Sequence, residues 1–387
     1  YLERKLTVWF SMIALLLVVL GSLGEIVPGL ILLLASFFYP PFLKDFINEA
    51  KVYAPQKRFF TQVSFIFALW AALATLFVNP SSSVSWGIVV GLLIVIFPVF
   101  FAGIYARKLD SKFLWHIFIF GAGLATVLIF YDYFIVGNRR AELLVGCNAA
   151  GTLLLIALAT FLAAFYKEKD KRRWFYLGAS FFTVVGIILT ASRAAWIGMA
   201  VMFVSLPLFG AKTKQFLAII LVVTLVLGLI IFTNSYWKQR FLTIFDLDQN
   251  SARLNAYEAS ISMMTKHPFG IGLGNFESEH RNYLPEDKNP LSHAHNIYLQ
   301  FGAELGFVGF VLSVLIYLTV PLMCFKIAKV KPYFGPIGAG SLAIFVRELF
   351  DATTLGLAVA GFVWFLFGLV FAEYVALKND LKENAKV

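Results

Sequence analysis

Residues 296–325 read NIYLQFGAELGFVGFVLSVLIYLTVPLMCF, a run of thirty in which Glu304 is the only charged side chain. A helix needs about 20 apolar residues to cross a bilayer, so this run predicts a membrane-spanning segment. The whole chain has the same character, because its 387 residues are 60% hydrophobic and only 14% charged, whereas a soluble domain has about 25% charged residues. The composition excludes a soluble enzyme and predicts an all-α, polytopic bundle of transmembrane helices.

Apolar runs of similar length recur along the chain and predict about twelve spans. The predicted spans are residues 7–23, 26–43, 59–78, 86–105, 113–135, 143–166, 174–190, 194–209, 215–233, 296–325, 335–350 and 355–377. The first run follows Arg4 and Lys5 as in a signal peptide, but no small-residue cleavage site follows, so we interpret it as a span. The sequence thus predicts a chain of three parts. These are spans 1–9 in residues 1–233, a polar loop in residues 234–294 and spans 10–12 in residues 295–387.

The distribution of basic residues predicts the orientation. Lys and Arg near membrane helices stay on the cytoplasmic side, and a cytoplasmic N-terminus puts 22 of the 32 basic residues there. Both termini are then cytoplasmic and residues 234–294 lie outside. The formal net charge of +10 reflects this topology, and the sequence has no aromatic and basic platform for nucleic acid. Cys147 and Cys324 lie in apolar runs, which predicts neither a disulfide nor a thiolate metal site.

The polar loop contains a predicted amphipathic helix at residues 252–266, beginning after Asn250 and Ser251 and ending before Pro268. Its expected apolar face is spaced by three and four residues and consists of Leu254, Tyr257, Ile261 and Met264. The helix is followed by the glycine ribbon, residues 270–275, which read GIGLGN. This spacing differs from the G-x-G-x-x-G dinucleotide fingerprint and has no Walker lysine, so we predict a tight loop that packs against neighbouring helices.

Arg253 falls in the predicted first turn of the loop helix. Free backbone N–H groups and the donor fork of a guanidinium suit phosphate oxygens at such a position. A surface ion pair with Asp248 or Glu258 is the alternative interpretation.

His295 begins the tenth predicted span and is a candidate general base. The positive end of the helix dipole favours neutral imidazole, the form that can accept a proton from a sugar hydroxyl. An interfacial polar cap is the alternative, and a zinc site with His267, His280 and His293 is a third interpretation that the i, i+2 spacing disfavours.

Two further arginines are predicted on the same outer side. Arg193 lies between two closely spaced spans and would face the protein interior or a water-filled cavity, or extend to lipid headgroups. Arg347 lies four residues before Asp351 within an apolar stretch, a spacing that predicts an internal ion pair.

Four short motifs occur in order between residues 192 and 309. They are SRAA at 192–195, HPFGIGLGNF at 267–276, HNIYLQ at 295–300 and ELGFVG at 304–309. Their order and spacing resemble the signature of the O-antigen ligase and O-antigen polymerase superfamily, with the ligase closest. The resemblance implies a lipid-sugar-dependent, GT-C-like membrane glycosyltransferase with one large periplasmic loop.

The same resemblance implies transfer of a glycan from an undecaprenyl-pyrophosphate carrier to lipid A-core oligosaccharide, in the bacterial inner membrane and on its periplasmic face. By the family's pattern, Arg193 and Arg253 hold the pyrophosphate and His295 deprotonates the acceptor hydroxyl. Supporting candidates are Arg347, as phosphate ligand or structural partner, and Asp351, Asn296 and His293. Arginines at a good leaving group can replace a divalent metal. We therefore expect single-step, inverting transfer without metal or cofactor.

Two other functions stay open at this stage. A repeat-unit polymerase, or a related surface-polysaccharide or protein O-oligosaccharyltransferase, would use the same donor and a different acceptor. A transporter of lipid-linked sugars would explain charged residues in a membrane cavity. It would leave the polar loop without a role, and the sequence has no evident internal repeat.

Overall fold

The computed structural model describes residues 58–78, 85, 88–89, 111–142, 145–210, 228–229, 233–284 and 290–384. Within these residues the chain is helical and forms no β-strand. The helices, numbered in chain order, are α1 (Arg58–Val78), α2 (Ser111–Tyr131), α3 (Cys147–Lys167), α4 (Arg172–Leu189), α5 (Arg193–Ser205), α6 (Ser235–Leu242), α7 (Leu247–Lys266), α8 (Phe276–His280), α9 (Ile297–Ala328), α10 (Phe334–Arg347) and α11 (Leu357–Asn384). A π-helical turn, Asp132–Val136, extends α2.

Five helices in the described part of the chain are long and apolar enough to cross a membrane. They contain the segments Phe118–Val136, Cys147–Lys167, Arg172–Leu189, Ile297–Ala328 and Val359–Lys378, and shorter apolar helices occupy Gln62–Val78, Arg193–Phe209 and Phe334–Arg347. The chain is therefore an all-helical, multi-pass membrane protein. Eight predicted spans coincide with these helices, whereas those at 7–23, 26–43, 86–105 and 215–233 lie wholly or largely outside the described residues.

Helix α3 lies at the centre of the bundle. Of its apolar window, 89% is buried, and it packs against α2, α4, α5 and α10. Small residues allow the close approach, because a Cβ added to Gly340 would lie 2.7 Å from the Ala159 Cβ and one added to Gly198 would lie 2.9 Å from Leu155. Helices α5 and α10 thus pack closely against α3, and the first residue of α5 and the last residue of α10 belong to the candidate site.

The glycine ribbon docks onto a break in α9. Gly306 has φ 71° and ψ −171°, values outside the helical region, so α9 consists of two helical parts. Beside this break, Ile271 N–H donates to the Ala303 carbonyl and Gly272 N–H donates to the Glu304 carbonyl, each at 3.0 Å. A Cβ on Gly306 would clash with the Pro268 carbonyl, so close backbone contact requires glycine there. The predicted packing role of the ribbon is confirmed.

Helix α7 begins earlier than the sequence predicts. It starts at Leu247, five residues before the expected first residue, Ala252. The Asp246 carboxylate accepts a hydrogen bond from Asp248 N–H at 3.0 Å and satisfies a free donor of the first turn. Asn250, expected before the helix, lies inside it and donates from its side chain to the Asp246 carbonyl at 2.7 Å. Arg253 is consequently in the second turn, and the prediction that it sits at the helix N-terminus is wrong.

The buried face of α7 also differs from the predicted one. Leu254 and Ile261 are 41% and 47% exposed. The buried side chains are small or flexible and follow helical spacing: Ala256, Ala259, Ser260 and Met263. This face packs against α9. Small side chains allow α7 and α9 to approach closely. The predicted face was based on large apolar residues and therefore omitted these positions. The predicted end of the helix before Pro268 is confirmed, since α7 stops at Lys266.

Candidate active site

The turn before α9 brings two histidines to one carboxylate. The His295 Nδ1 lies 3.2 Å from the Asp351 Oδ1, and the His293 Nε2 lies 3.4 Å from the same oxygen. The imidazole rings are 4.1 Å apart. His295 has φ 51°, a left-handed conformation that costs energy for any residue with a Cβ and is common at functional sites. His293, His295 and Asp351 form the histidine–aspartate cluster.

Local hydrogen bonds fix this turn. Asn296 caps α9, because its side-chain oxygen accepts from Tyr298 N–H at 3.0 Å and from Leu299 N–H at 3.1 Å. Ile297 N–H donates to the Glu348 carbonyl at 3.0 Å, and Ala294 N–H donates to the Gln300 side chain at 2.7 Å. Asn296 therefore acts on the site as a helix cap that positions His295, not as a free polar group.

The environment of Asp351 keeps its carboxylate ionised. Burial opposes the charge, but hydrogen bonds from His293 and His295 and the positive charge of Arg347 outweigh it and lower the pKa of Asp351 well below its ordinary value. An ionised carboxylate is an acceptor only, so His295 donates its Nδ1–H. The Nε2 of His295 then carries the lone pair, which is the arrangement that a general base needs.

Arg347 supports Asp351 from inside the bundle. Its Nη2 lies 3.6 Å from the Asp351 Oδ2, which confirms the predicted ion pair. The guanidinium is fully buried and also binds the Glu348 carboxylate at 2.8 Å and the Asn148 carbonyl at 2.7 Å. These partners take up both Nη groups and leave the buried Nε without a hydrogen-bond partner among the described residues, so the geometry favours the structural role over the phosphate role that the sequence also allowed for Arg347.

Arg193 is held at the first position of α5. Ser192 caps this helix and donates to the Asn148 side chain at 2.8 Å. The Arg193 Nη1 donates to the Thr243 carbonyl at 2.6 Å, and the same carbonyl accepts from the Asn250 side chain at 3.1 Å. Arg193 is therefore attached to the segment that leads into α7, and one end of its guanidinium is fixed by protein.

Helix α7 connects Arg193 to His295. Asn250, Arg253 and Tyr257 lie on one face at spacings of three and four. The Tyr257 hydroxyl donates to the His295 carbonyl at 3.2 Å and to the Leu349 carbonyl at 3.0 Å. Burial raises the pKa of Tyr257, so this donor stays protonated. Arg253 thus lies between Asn250, which contacts the Arg193 partner, and Tyr257, which contacts His295.

The structure also shows two arginines that the sequence analysis treated only as topology signals. Arg240 Nε donates to the Ala191 carbonyl at 3.0 Å, two residues before Arg193. Burial and then the charge of Arg140 lower the pKa of Arg240. Arg140 Nη2 contacts the Cys147 Sγ at 2.8 Å. Both arginines lie in predicted outer loops, and that shared side was the signal that could have grouped them with Arg193.

The predicted alternatives for Arg253 and for the loop histidines differ from the observed contacts. Among the described residues, Arg253 forms no ion pair with Asp248 or Glu258. The His267 Nε2 lies 2.8 Å from the Tyr283 hydroxyl, and the His280 Nδ1 accepts from Leu291 N–H at 2.9 Å. These two histidines therefore have partners of their own within the loop, and the four-histidine zinc interpretation is wrong.

The histidine–aspartate cluster by itself has the donor set of a metal site. One ligand atom from each of His293, His295 and Asp351 lies within 4.8 Å of the other two. The Arg347 guanidinium lies 3.6 Å from the Asp351 Oδ2 and 2.8 Å from the Glu348 Oε1, and its positive charge beside the cluster opposes a divalent ion. The residues of the histidine–aspartate cluster therefore fit a metal by type and distance, while the charge of Arg347 disfavours one.

The segment that carries Arg193, Arg253 and His295 matches a known family. Residues 178–314 match the family model described as O-antigen ligase. The match covers about a third of the chain, and over that length the segment is similar to the O-antigen ligase family. The match includes all four sequence motifs and the whole of α5, α6, α7 and α8, so the resemblance predicted from the motifs is confirmed.

Two curated relatives carry a related description. The "Probable peptidoglycan glycosyltransferase FtsW" of Buchnera aphidicola subsp. Schizaphis graminum is 29% identical over 176 residues, which cover 45% of this chain and 45% of the relative. The protein of the same name from Nitrosomonas europaea is 27% identical over 158 residues, 39% of this chain and 38% of the relative. The chain thus spans less than half the length of these relatives. Both relatives are named as probable glycosyltransferases.

Proposed function

We propose that this protein is an inverting, metal-independent glycosyltransferase that moves a glycan from an undecaprenyl-pyrophosphate carrier to lipid A-core oligosaccharide. The observation that carries the proposal is the connection of the His295–Asp351 pair, at 3.2 Å, through Tyr257 and α7 to Arg253 and Arg193. A base and two phosphate-binding cations are the groups that this reaction needs. The O-antigen ligase match over residues 178–314 supports the same chemistry.

The proposed reaction is a single displacement. The His295 Nε2 takes the proton of the acceptor hydroxyl while that oxygen attacks the anomeric carbon from the face opposite the pyrophosphate. The new glycosidic C–O bond forms as the bond to the pyrophosphate oxygen breaks, and the electron pair leaves with the lipid pyrophosphate. Asp351 stabilises the imidazolium that forms, because its ionised carboxylate already accepts the Nδ1–H. One displacement inverts the anomeric centre.

Arg193 and Arg253 are proposed to bind the pyrophosphate. A guanidinium presents its donors in a fixed fork that matches phosphate oxygens, and its charge stabilises the leaving group without a protein acid. Arg193 uses Nη1 on the Thr243 carbonyl, which orients the remaining donors. Arginines in these positions would replace the divalent ion found in many sugar transferases, which accounts for metal independence.

The proposed setting is the bacterial inner membrane, with both termini in the cytoplasm and the site on the periplasmic face. The positive-inside distribution supports this orientation. It also puts Arg140, Arg193, Arg347 and residues 234–294 on one side, in agreement with the hydrogen bonds that join their segments. The three-part organisation with twelve spans and a GT-C-like arrangement belongs to the same proposal.

A polymerase is the second candidate function. The two curated relatives are named probable peptidoglycan glycosyltransferases, and that name describes glycan chain building, which favours an acceptor that is itself a growing glycan. The proposed base, cations and displacement are the same for both candidates. They differ only in the molecule that supplies the hydroxyl.

The deciding experiment identifies the acceptor. Purified protein in liposomes would receive a fluorescent lipid-linked glycan together with either lipid A-core or a second lipid-linked glycan, and the products would be separated by mass. Glycosylated lipid A-core supports the ligase, and extended lipid-linked glycan supports the polymerase. Activity unchanged by a chelator is expected. A chelator-induced loss that a divalent ion restores would instead assign the histidine–aspartate cluster to a metal.

A further inference from the structure

Four arginines from four separate segments meet at one end of the bundle: Arg140, Arg193, Arg240 and Arg253, here named the arginine cluster. Arg140 precedes α3, Arg193 begins α5, Arg240 is in the last turn of α6 and Arg253 is in α7. Arg193 is within electrostatic range of the other three, and Arg240 is within range of Arg140 and Arg253. All four are half-buried, so their charges are partly shielded from water and still reachable.

Hydrogen bonds join these segments in a reciprocal way. Arg193 donates to the Thr243 carbonyl, three residues after Arg240, while Arg240 donates to the Ala191 carbonyl, two residues before Arg193. Arg140 contacts the Cys147 Sγ, and the side chain of the next residue, Asn148, accepts a hydrogen bond from the Ser192 hydroxyl. The cluster is therefore a defined arrangement of the fold and not four independent surface charges.

The positive charge of the cluster exceeds the acidic charge near it. The Asp246 carboxylate is within electrostatic range of Arg193, but within the ranges that the structure describes none of the four arginines forms an ion pair with a carboxylate, whereas Arg172, the first residue of α4, pairs with Asp170 at 2.8 Å. Partly buried like charges repel one another and destabilise the ligand-free protein. The protein contacts of Arg240 and Arg140 use single donors, Nε and Nη2, of the five that each guanidinium offers. The free donors and the uncompensated charge suit a polyanionic ligand.

We infer that Arg140 and Arg240 complete a four-arginine site that binds the leaving pyrophosphate more strongly than the pyrophosphate of the donor. This inference rests on the proposed function. In the donor the pyrophosphate is esterified at both ends and carries two negative charges. Breaking the bond to the sugar frees a third ionisable oxygen on the terminal phosphate. The positive charges of Arg140 and Arg240 balance this developing negative charge, so they stabilise the transition state more than they stabilise the bound donor.

The test uses the full-length protein in detergent with Arg140→Gln and Arg240→Gln, and inorganic pyrophosphate as the probe. Pyrophosphate should raise the melting temperature of the wild type and inhibit transfer, and each variant should need about tenfold more pyrophosphate for both effects. Each variant should also lower kcat with little change in the donor KM. Arg172→Gln is the matched control and should change none of these values, because Arg172 is 68% exposed and paired elsewhere.

The outcomes separate this inference from the proposed function. Unchanged pyrophosphate affinity in both variants, with loss of affinity in Arg193→Gln and Arg253→Gln, would overturn the inference and leave the proposed function intact. A raised donor KM with unchanged kcat would show that Arg140 and Arg240 stabilise the bound donor and the transition state equally, and it would overturn the inference. Absence of any pyrophosphate effect on the wild type would count against both. If a glutamine variant fails to fold, Arg140→Lys or Arg240→Lys keeps the charge and should still weaken pyrophosphate binding, because a point charge lacks the donor fork.

Discussion

Two charged regions of the molecule differ in how their charge is compensated. On one side the Glu304 carboxylate, fully enclosed, accepts from the Gln300 side chain at 2.9 Å, Gly274 N–H at 3.0 Å and Phe276 N–H at 3.4 Å. On the other side the arginine cluster has no carboxylate partner among the described residues. A buried carboxyl group whose Oε1 accepts three hydrogen bonds holds the fold together, whereas a cluster of like charges without ion pairs is suited to a ligand.

The largest expected effect belongs to His295, the proposed base of the reaction. His295→Ala should lower the rate of glycan transfer by about 10³-fold, because it removes the base that accepts the acceptor proton. The melting temperature should stay close to that of the wild type. Transfer is measured with purified protein and lipid-linked glycan.

His267→Ala is the matched control for this variant. His267 lies in the same part of the chain, but it is exposed and its ring contacts the Tyr283 hydroxyl. It should retain most of the activity. Full transfer by His295→Ala would remove His295 from the mechanism.

The second prediction concerns the group that orients the base. Asp351→Asn should lower kcat by about 100-fold with a smaller change in donor KM, because an amide cannot stabilise the imidazolium and can present the wrong atom to the His295 Nδ1. The folded-state pKa of Asp351 lies below its ordinary value, so the carboxylate stabilises the fold above that ordinary value and loses this contribution as pH falls.

The stability difference between Asp351→Asn and the wild type should therefore shrink in acid, and melting curves across pH measure it. A difference that grows as the pH falls would contradict the ionised carboxylate, and wild-type kcat in the variant would contradict its positioning role.

The third prediction tests the phosphate-binding arginines. Arg193→Lys and Arg253→Lys should each lower kcat/KM for the donor by about tenfold, since a lysine keeps the charge and loses the bidentate fork. Kinetics with varied donor concentration measure this effect. Exposed Lys238, which is on α6 beside these groups, supplies the control Lys238→Arg, expected to have no effect. Normal donor kinetics in both arginine variants would argue against a pyrophosphate site.

The smallest expected effect on catalysis is that of replacing Glu304, whose carboxylate is compensated by hydrogen bonds from the protein. Glu304→Ala should destabilise the protein by about 3 kcal/mol, because three donors lose their buried acceptor. Activity per folded molecule should remain within about twofold of the wild type, since Glu304 contacts no residue of the proposed reaction. Thermal unfolding and a transfer assay normalised to folded protein measure the two quantities. A large loss of specific activity without loss of stability would move Glu304 into the site.

Much of the helical framework is predictable from local composition. Apolar runs such as residues 143–166 and 174–190 correspond to α3 and α4 within a few residues, because a spanning helix is specified by its own hydrophobicity. The glycine ribbon and the stop before Pro268 are likewise local properties of the backbone. Two residues proposed for the reaction, Arg193 and His295, lie in the motifs that the family match contains, and Arg253 was assigned from its place in the loop helix before the motif at 267–276.

The features that the sequence did not reveal depend on distant contacts. The pairing of His295 with Asp351 joins positions 56 apart in the chain. The start of α7 was misplaced because Asp246 competes with Asn250 and Ser251 as a cap, and all are good capping residues. The role of Arg140 and Arg240 could not be separated from orientation signals, because a basic residue near a membrane has the same appearance in either role.

The break at Gly306 has a mechanical consequence for a protein in a lipid bilayer. The part of α9 that begins beside His295 is fastened to the glycine ribbon, while the part that follows Gly306 runs on to Ala328. Membrane helices tilt when the thickness of the surrounding bilayer changes. We expect the discontinuity at Gly306 to let the second part of α9 change its tilt with less displacement of the first part, where His295 lies.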